Sequence, residues 1–190
     1  MCDKDLSKYA KNLIGEVYLL KNRPENSEMY DASEFSTLLN ACGRNNRTAI
    51  GLGVCLDHEK YYEEAKDLLL LHRKNLREGV VYAKEHIEDF GKFYFIDGRG
   101  VISDTIIGVI AGMLLSKRDK PLIAASLDEN NEIKISSRLL DRESTINLGK
   151  ILTEVSLEIG GTGGGHKFAA GCTIPNNKIN EFLLGLNKRL

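Results

Sequence analysis

The longest regular pattern of apolar positions along the chain lies between about Glu59 and Asp89. This stretch contains no proline and a single glycine. Its apolar and weakly polar residues recur at steps of three and four, which is the spacing of one helix face. These positions are Tyr62, Ala65, Leu69, His72, Leu76, Val80, Ala83 and Ile87. A helix of this length is roughly 40 Å long, which predicts a connector between two lobes, with His72 and His86 as ordinary helix side chains.

From about Gly91 onward the pattern changes to short apolar runs that alternate with helical spacing. Strand-like runs are separated by amphipathic segments, and the turn "DENN" joins two of the runs as an antiparallel pair. The predicted strands are "KFYFIDG", "PLIAASL", "EIKISSRL" and "AGCTIP", and the predicted helices are "SDTIIGVIAGMLLSK", "STINLGKILTEVSLEI" and "NNKINEFLLGLNKRL". Ser103 or Asp104 is a candidate N-cap for the first of these helices. The pattern predicts an α/β fold in which helices pack on a small mixed sheet.

The first part of the chain, up to about His58, contains a polar loop and a helical run. "KNRPENSEMYD" follows the mixed segment "LSKYAKNLIGEVYLL", and "ASEFSTLLNACG" has one apolar face. Asp31 or Ser33 is expected to cap this helix, and Gly43 is expected to end it. This part is therefore predicted to be helical and to precede the long connector.

Composition narrows the classes of function. Hydrophobic residues make up 42% of the 190 residues and charged residues 28%, which is typical of a globular protein. The net charge of −1 argues against a general polyanion-binding surface, because bulk affinity for nucleic acids comes from an excess of Lys and Arg. The four cysteines are scattered, and neither a signal peptide nor a membrane span is visible. We expect a soluble, cytoplasmic protein that does not associate with membranes.

The stretch "EIGGTGGGHKFAAGC" has five glycines in the six positions before His166. It matches neither the dinucleotide-binding fingerprint nor the P-loop. Consecutive glycines with positive φ can nevertheless turn their backbone N–H groups inward as an anion-binding nest. His166 can donate a hydrogen bond to phosphate, and "HKFAAG" is expected to form a short helix whose N-terminus faces the same anion. A flexible surface turn with a solvated histidine is the alternative.

A second polar cluster ends the strand predicted for "KISSRLL". Ser136, Ser137 and Arg138 are residue types that contact phosphate or carboxylate groups. Arg138 alone could cap a surface turn. Together with a glycine nest in the same small domain, the cluster favours a shared anion site.

These residues carry a family resemblance. "GGGHKFAAG", preceded by "ISSR" and "TINLGKIL", resembles the substrate-binding domain that follows the catalytic domain in the DHH phosphoesterase superfamily. Members of this superfamily include RecJ single-strand exonucleases and oligoribonucleases, and alanyl-tRNA synthetases carry a related module. "FIDGRGVISDTIIGVIAGML" resembles the start of that domain in archaeal RecJ-like proteins, and "FSTLLNACGR" is similar to a segment near the end of the RecJ catalytic domain.

The resemblance implies both an architecture and a site. Residues 1–58 would be the C-terminal tail of a catalytic domain, residues 59–89 the connector helix, and residues 90–190 the substrate-binding domain. The implied substrate-binding residues are Ser136, Ser137, Arg138, Gly163, Gly164, Gly165 and His166. His166 would also stabilise the reacting phosphate, and Asn40 and Arg44 would face the catalytic cleft.

One departure from the superfamily bears on catalysis. Its members cleave phosphodiesters with two metal ions held by aspartates and an Asp-His-His triplet, and this chain has only Asp57–His58 followed by Glu59. We read Asp57–His58 as a loop or helix start. Two divalent metals, Mn or Mg, are expected only in a complete enzyme, so enzymatic activity of this chain stays uncertain.

The resemblance leaves three hypotheses open. The leading one is a binding module for the phosphate backbone of single-stranded DNA or RNA that is inactive alone. The first alternative is an interaction module of a replication or repair assembly, for example one that contacts a GINS-like complex. The second is a fragment of a phosphodiesterase for short oligoribonucleotides.

Overall fold

The computed structural model describes residues 15–115 and 119–190. The chain forms two compact units, of which the first ends at His72 and the second spans Arg73–Leu190. The division falls inside the long helix, near the middle of the predicted connector. None of the helices in the described ranges is long and apolar enough to cross a membrane.

The first unit is helical. Helix α1 spans Ala32–Arg44, α2 spans Thr48–Cys55, and α3 begins at Glu59. The predicted cap is confirmed, because the Asp31 carboxylate accepts hydrogen bonds from the backbone N–H groups of the next turn. Gly43 does not end the helix as predicted. Asn46, with φ of 56°, makes the reversal instead.

Apolar side chains from the three helices and from the loop before α1 form the core of the first unit. The fully or nearly buried members are Met29, Leu38, Ala41, Cys42, Ile50, Val54, Ala65 and Leu69. The segment Asp57–His58 is the short link before α3, as predicted, and Asp57 has a positive φ of 61°.

Helix α3 spans Glu59–Glu85. The prediction ran the helix on to Asp89, but Ile87 opens strand β1 and pairs with Ile96 of the next strand. An apolar residue at a helical step also fits a strand, and the sheet partner decides between them. His72 is buried on α3, whereas exposed His86 directly follows the last residue of the helix, so the expectation of an ordinary helix side chain is confirmed for His72 only.

Six strands in the described part of the chain form one mixed sheet in the order β1-β2-β3-β4-β6-β5. Only β2 and β3 run parallel to each other, and the remaining neighbours are antiparallel. The strands are β1 Ile87–Asp89, β2 Tyr94–Asp97, β3 Leu122–Leu127, β4 Ile133–Arg138, β5 Thr162–His166 and β6 Ala169–Ile174. The predicted β3–β4 pair around "DENN" is confirmed. The Asp128 carboxylate accepts the N–H groups of Asn130 and Glu132 in that turn.

Helices cover the two faces of this sheet unequally. One face packs against α5 (Leu148–Glu158) and α6 (Ile179–Arg189), which follows a short 3-10 turn at Asn176–Lys178. The other face packs, at β2 and β3, against α4 (Ile107–Leu114) and the end of α3. The two cores meet along β3, whose residues 122–126 are all buried. The mixed α/β fold predicted from the sequence is therefore confirmed.

The starts of two helices differ from prediction. Helix α4 begins at Ile107 without a side-chain cap, because the Ser103 hydroxyl bonds the N–H of Thr105 in the preceding turn. Residues 116 and 117, the end of that predicted helix, lie outside the described ranges. Helix α5 begins at Leu148 rather than at Ser144, and the Asn147 side chain caps it.

Candidate substrate groove

The glycine-rich stretch forms an edge strand of the sheet, and this corrects two predictions. Thr162–His166 is β5, which pairs with β6 along its whole length. "HKFAAG" does not form a helix, because Lys167 and Phe168 make a turn and Ala169 opens β6. The turn is held by hydrogen bonds from the N–H of Leu148 to the Lys167 carbonyl and from the N–H of Leu139 to the Phe168 carbonyl, each 3.0 Å long.

Because side chains alternate along a strand, the predicted site residues divide between the two faces of the sheet. Ser137, Gly163 and Gly165 lie on the face covered by α5. The Ser137 hydroxyl is fully buried and donates to the Ala170 carbonyl at 3.0 Å. Its side chain therefore holds β4 to β6 and is not available to a ligand on the open face.

Packing explains the glycines on the covered face. A β-carbon at Gly163 would lie 2.7 Å from Ser156 Oγ on α5, and one at Gly165 would lie 2.5 Å from Ala170 Cα. Gly165 has φ of +137°, whereas Gly163 and Gly164 are not among the glycines with positive φ. The predicted nest of successive positive-φ glycines is therefore wrong. Gly163 lets α5 pack closely against β5, and Gly165 avoids a clash with the neighbouring strand β6.

The opposite face of β4, β6 and β5 brings together the other predicted residues. Ser136, Arg138, Gly164 and His166 all lie on it. Strand pairing arranges this face in three rows that cross β4, β6 and β5 in turn. The rows are Arg138–Ala169–His166, Ser136–Gly171–Gly164 and Lys134–Thr173–Thr162. We call this face the groove, since a depression of about 350 Å³ lies over the second and third rows.

The third row was missed by sequence reasoning. The pairing of β4 with β6, which places Lys134 beside Thr173, was not predicted, and neither was the strand that contains Thr162. The signal was present in the alternation of "IKISSR", in which Lys134, Ser136 and Arg138 occupy every second position. Reading it required knowing that the glycine stretch is a strand.

Arg138 is the main cation of the first row. Its side chain is half-buried, and burial lowers the pKa of the guanidinium from its ordinary value, although arginine stays protonated in proteins. Nη1 donates to the neighbouring Ser137 carbonyl at 2.8 Å. No ion pair within the described ranges joins Arg138 to a carboxylate. Its remaining N–H groups can therefore serve an anion in the groove.

Helix α4 forms one wall of the groove through a glycine. A β-carbon at Gly108 would lie 2.9 Å from Ser136 Oγ and 3.1 Å from Arg138 Nη2. The absence of a side chain at this position lets the helix backbone approach both polar groups. The position of α4 therefore limits where the guanidinium of Arg138 can lie.

His166 stands at the end of β5 with its side chain exposed. The backbone beneath it is fixed by α5, since a β-carbon at Gly149 would lie 2.6 Å from the Gly165 carbonyl oxygen. Arg138 and His166 occupy the same row two strands apart, so their Cα atoms are about 10 Å apart. Long side chains at this separation can contact one phosphate from two sides.

The remaining predicted residues lie in the first unit. Asn40 is exposed on α1, and Arg44, one turn later, is half-buried. Burial and, after it, the charge of Arg44 lower the pKa of buried His72. The role of Asn40 and Arg44 in a catalytic cleft stays a prediction. Among the residues that the structure describes, no three His, Cys, Asp or Glu side chains cluster as metal ligands.

Comparisons with known proteins identify the family of residues 91–190. Residues 91–190 match the DHHA1 domain family. The chain is 32% identical over 181 residues to an uncharacterized protein of Methanocaldococcus jannaschii, covering 93% of this chain and 38% of that protein. An alanine–tRNA ligase of Korarchaeum cryptofilum is 25% identical over 135 residues, which are 67% of this chain and 15% of that protein.

A solved structure shares the fold. RecJ from Thermus thermophilus, in complex with Mn²⁺, superposes with a TM-score of 0.68 at 15% identity, covering 83% of this chain and 24% of that one. The chain thus spans well under half the length of each of these three proteins.

Proposed function

The chain belongs to the DHHA1 domain family, and from this membership we propose that its second unit binds the phosphate backbone of single-stranded DNA or RNA in the groove. Arg138 and His166 hold a phosphate at the first row. The domain would act as the substrate-holding part of a longer nuclease or phosphoesterase.

The state of Arg138 is the observation that carries this proposal. A half-buried guanidinium whose one identified hydrogen bond goes to a backbone carbonyl gains most from an anionic partner, because charge-assisted hydrogen bonds are about twice as strong as neutral ones. It lies on the groove face in the row of Ala169 and His166, and no ion pair in the described part of the chain joins it to a carboxylate. His166 adds an N–H donor from the other side of Ala169.

The floor of the groove suits a sugar–phosphate chain. A β-carbon at Gly164 would meet nothing within 4 Å, so the space above this glycine is open. Gly171 lies beside it in the second row, and Ser136 adds a hydroxyl that can contact phosphate. The two glycines let the ligand come close to the sheet, while Arg138 and His166, at the two ends of the first row, supply the hydrogen-bond donors.

The charge balance fits a local site. The net charge of −1 argues against a general polyanion-binding surface, so we infer that binding depends on a few local contacts. We therefore infer a preference for short or terminal segments of a strand over long duplexes, whose affinity grows with the number of neutralised phosphates.

Catalysis would require the rest of a longer protein. One structural neighbour is described as exonuclease RecJ bound to manganese, and we propose that this chain supplies the binding part of an enzyme of that kind. The described residues contain no cluster of side chains that fits a two-metal site. His166 would stabilise the phosphate presented to such a site, and the chain alone would bind without cleaving.

Titration of a 3′-labelled, 5′-phosphorylated tetranucleotide tests the proposal. Arg138→Ala and His166→Ala are each expected to weaken binding about tenfold or more, since a hydrogen bond to a charged group contributes roughly 1.5–3 kcal/mol. Arg77→Ala, at an exposed arginine of α3, is the matched control and should bind like wild type. Equal affinities for wild type and both groove variants would contradict the proposal.

A further inference from the structure

We propose a second anion subsite at the far end of the groove, formed by Lys134 with Thr162 and Thr173. The groove then takes a ligand with two phosphates, such as a 5′-phosphorylated dinucleotide or the end of a longer strand, in preference to a ligand with one. This inference rests on the proposed function, because it assumes that the first row already holds a phosphate.

The three side chains belong together because of strand register. Lys134 pairs with Thr173 on β6, and Thr173 pairs with Thr162 on β5, so all three point to the open face in one row. The depression over the second and third rows is lined by all three. An ammonium group and two hydroxyls are typical contacts of a nucleic-acid phosphate.

Lys134 already holds an anion at this position. Its Nζ lies 3.1 Å from a carboxylate oxygen of Asp104, which precedes α4, and both side chains are partly exposed. Exposed ion pairs contribute little to stability. A phosphate can therefore share or replace the carboxylate as the partner of Lys134 at small cost to the fold.

The two subsites act on different phosphates. Arg138 and Lys134 are four residues apart on β4, so their Cα atoms are about 13 Å apart, and both long side chains would have to extend toward the middle row to reach adjacent phosphates of one strand. The guanidinium is held by the Ser137 carbonyl and the ammonium by Asp104. Between them lies the row of small residues, over which the connecting sugar would pass.

Binding of two dinucleotides tests the inference with the full chain. The ligands are dTpdT, with one internal phosphate, and 5′-phosphorylated pdTpdT, with two. Wild type should bind pdTpdT about five- to tenfold more tightly than dTpdT, in line with one added charge-assisted contact. Lys134→Gln should weaken pdTpdT by that factor and leave dTpdT unchanged. For binding of pdTpdT to Lys134→Gln, the slope of the logarithm of the binding constant against the logarithm of salt concentration should also be smaller by about 0.7 than for wild type.

Two further variants complete the experiment. Lys150→Gln, at an exposed lysine that pairs with Glu154 on α5, removes the same charge from the opposite side of the sheet and should keep the preference for pdTpdT. Asp104→Asn removes the competing carboxylate and should tighten pdTpdT several-fold without changing dTpdT. Its effect has the opposite sign to that of Lys134→Gln, so a folding defect in one variant cannot imitate the pattern.

Each outcome separates this inference from the proposed function. A Lys134→Gln variant that keeps the wild-type preference for pdTpdT would overturn the second subsite, as would an Asp104→Asn variant that binds pdTpdT no better. If Arg138→Ala binds both dinucleotides as wild type does, the proposed function itself fails. Loss of the preference only in Lys134→Gln, with dTpdT binding intact, supports both.

Discussion

Gly108 on α4 lies so close to Arg138 on β4 that a β-carbon at position 108 would stand 3.1 Å from Nη2 of the guanidinium. The same β-carbon would be 2.9 Å from the hydroxyl oxygen of Ser136. Both are movable side-chain atoms that face the groove. A larger residue at position 108 would therefore displace two candidate phosphate contacts, the side chains of Ser136 and Arg138, and not the backbone of the sheet.

Gly108→Ala should separate binding from stability. Alanine favours a helix over glycine by roughly 0.5–1 kcal/mol, which offsets the cost of displacing Ser136 and Arg138, so the free energy of unfolding should change by less than about 1 kcal/mol. Displacement of the guanidinium should weaken binding of a 5′-phosphorylated oligonucleotide several-fold. Gly112→Ala on the same helix, where a β-carbon meets nothing within 4 Å, should keep wild-type affinity. Full affinity in Gly108→Ala would show that Arg138 does not contact the ligand.

The glycines of β5 should differ sharply in their tolerance of alanine. At Gly165, a β-carbon would stand 2.5 Å from Ala170 Cα, and φ is +137°, so Gly165→Ala should lower the free energy of unfolding by about 2 kcal/mol or more. At Gly164 the space is open, and Gly164→Ala should change the free energy of unfolding by less than about 1 kcal/mol. Urea unfolding followed by circular dichroism measures both. Similar losses in the two variants would contradict the strand geometry.

The ion pair between Asp97, the last residue of β2, and Arg99 should make part of the stability depend on pH. Hydrogen bonds from the Arg99 guanidinium hold the pKa of Asp97 below its ordinary value. Since the folded pKa is depressed, this contribution is present above the unfolded pKa of about 3.9 and is lost as pH falls through the folded value. Asp97→Asn should reduce the drop in unfolding free energy between about pH 5 and pH 2. If the unfolding free energy of Asp97→Asn falls with pH as steeply as that of the wild type, the ion pair contributes nothing to stability.

Much of the fold could be predicted because local patterns and final structure agree. The β3–β4 hairpin follows from two apolar runs around a turn in which Asp128 bonds the backbone, and Asp31 marks the start of α1. Such features depend on neighbours in sequence. The end of α3 could not be predicted in this way, because Ile87 belongs to a strand only through its pairing with Ile96.

The site was predicted in composition but not in arrangement. Glycine has no intrinsic preference for a strand, and β5 forms because β6 pairs with it and α5 packs on Gly163 and Gly165. Alternation along the predicted strand "EIKISSRL" separates Ser137 from Ser136 and Arg138, but only the pairing of β4 with β6 and of β6 with β5 shows which face is open. For the same reason Lys134 was overlooked.

Cysteine labelling should report on the covered face of the β5–β6 hairpin. Burial raises the pKa of the Cys172 thiol to about 12, and only the thiolate reacts, so Cys172 should resist iodoacetamide at pH 8 while exposed Cys55 reacts readily. Peptide mapping by mass spectrometry distinguishes the two. Gly165→Ala, which strains the hairpin, should accelerate labelling of Cys172 and leave the rate at Cys55 unchanged. Rapid labelling of Cys172 in the wild-type chain would contradict the packing of α5 against β6.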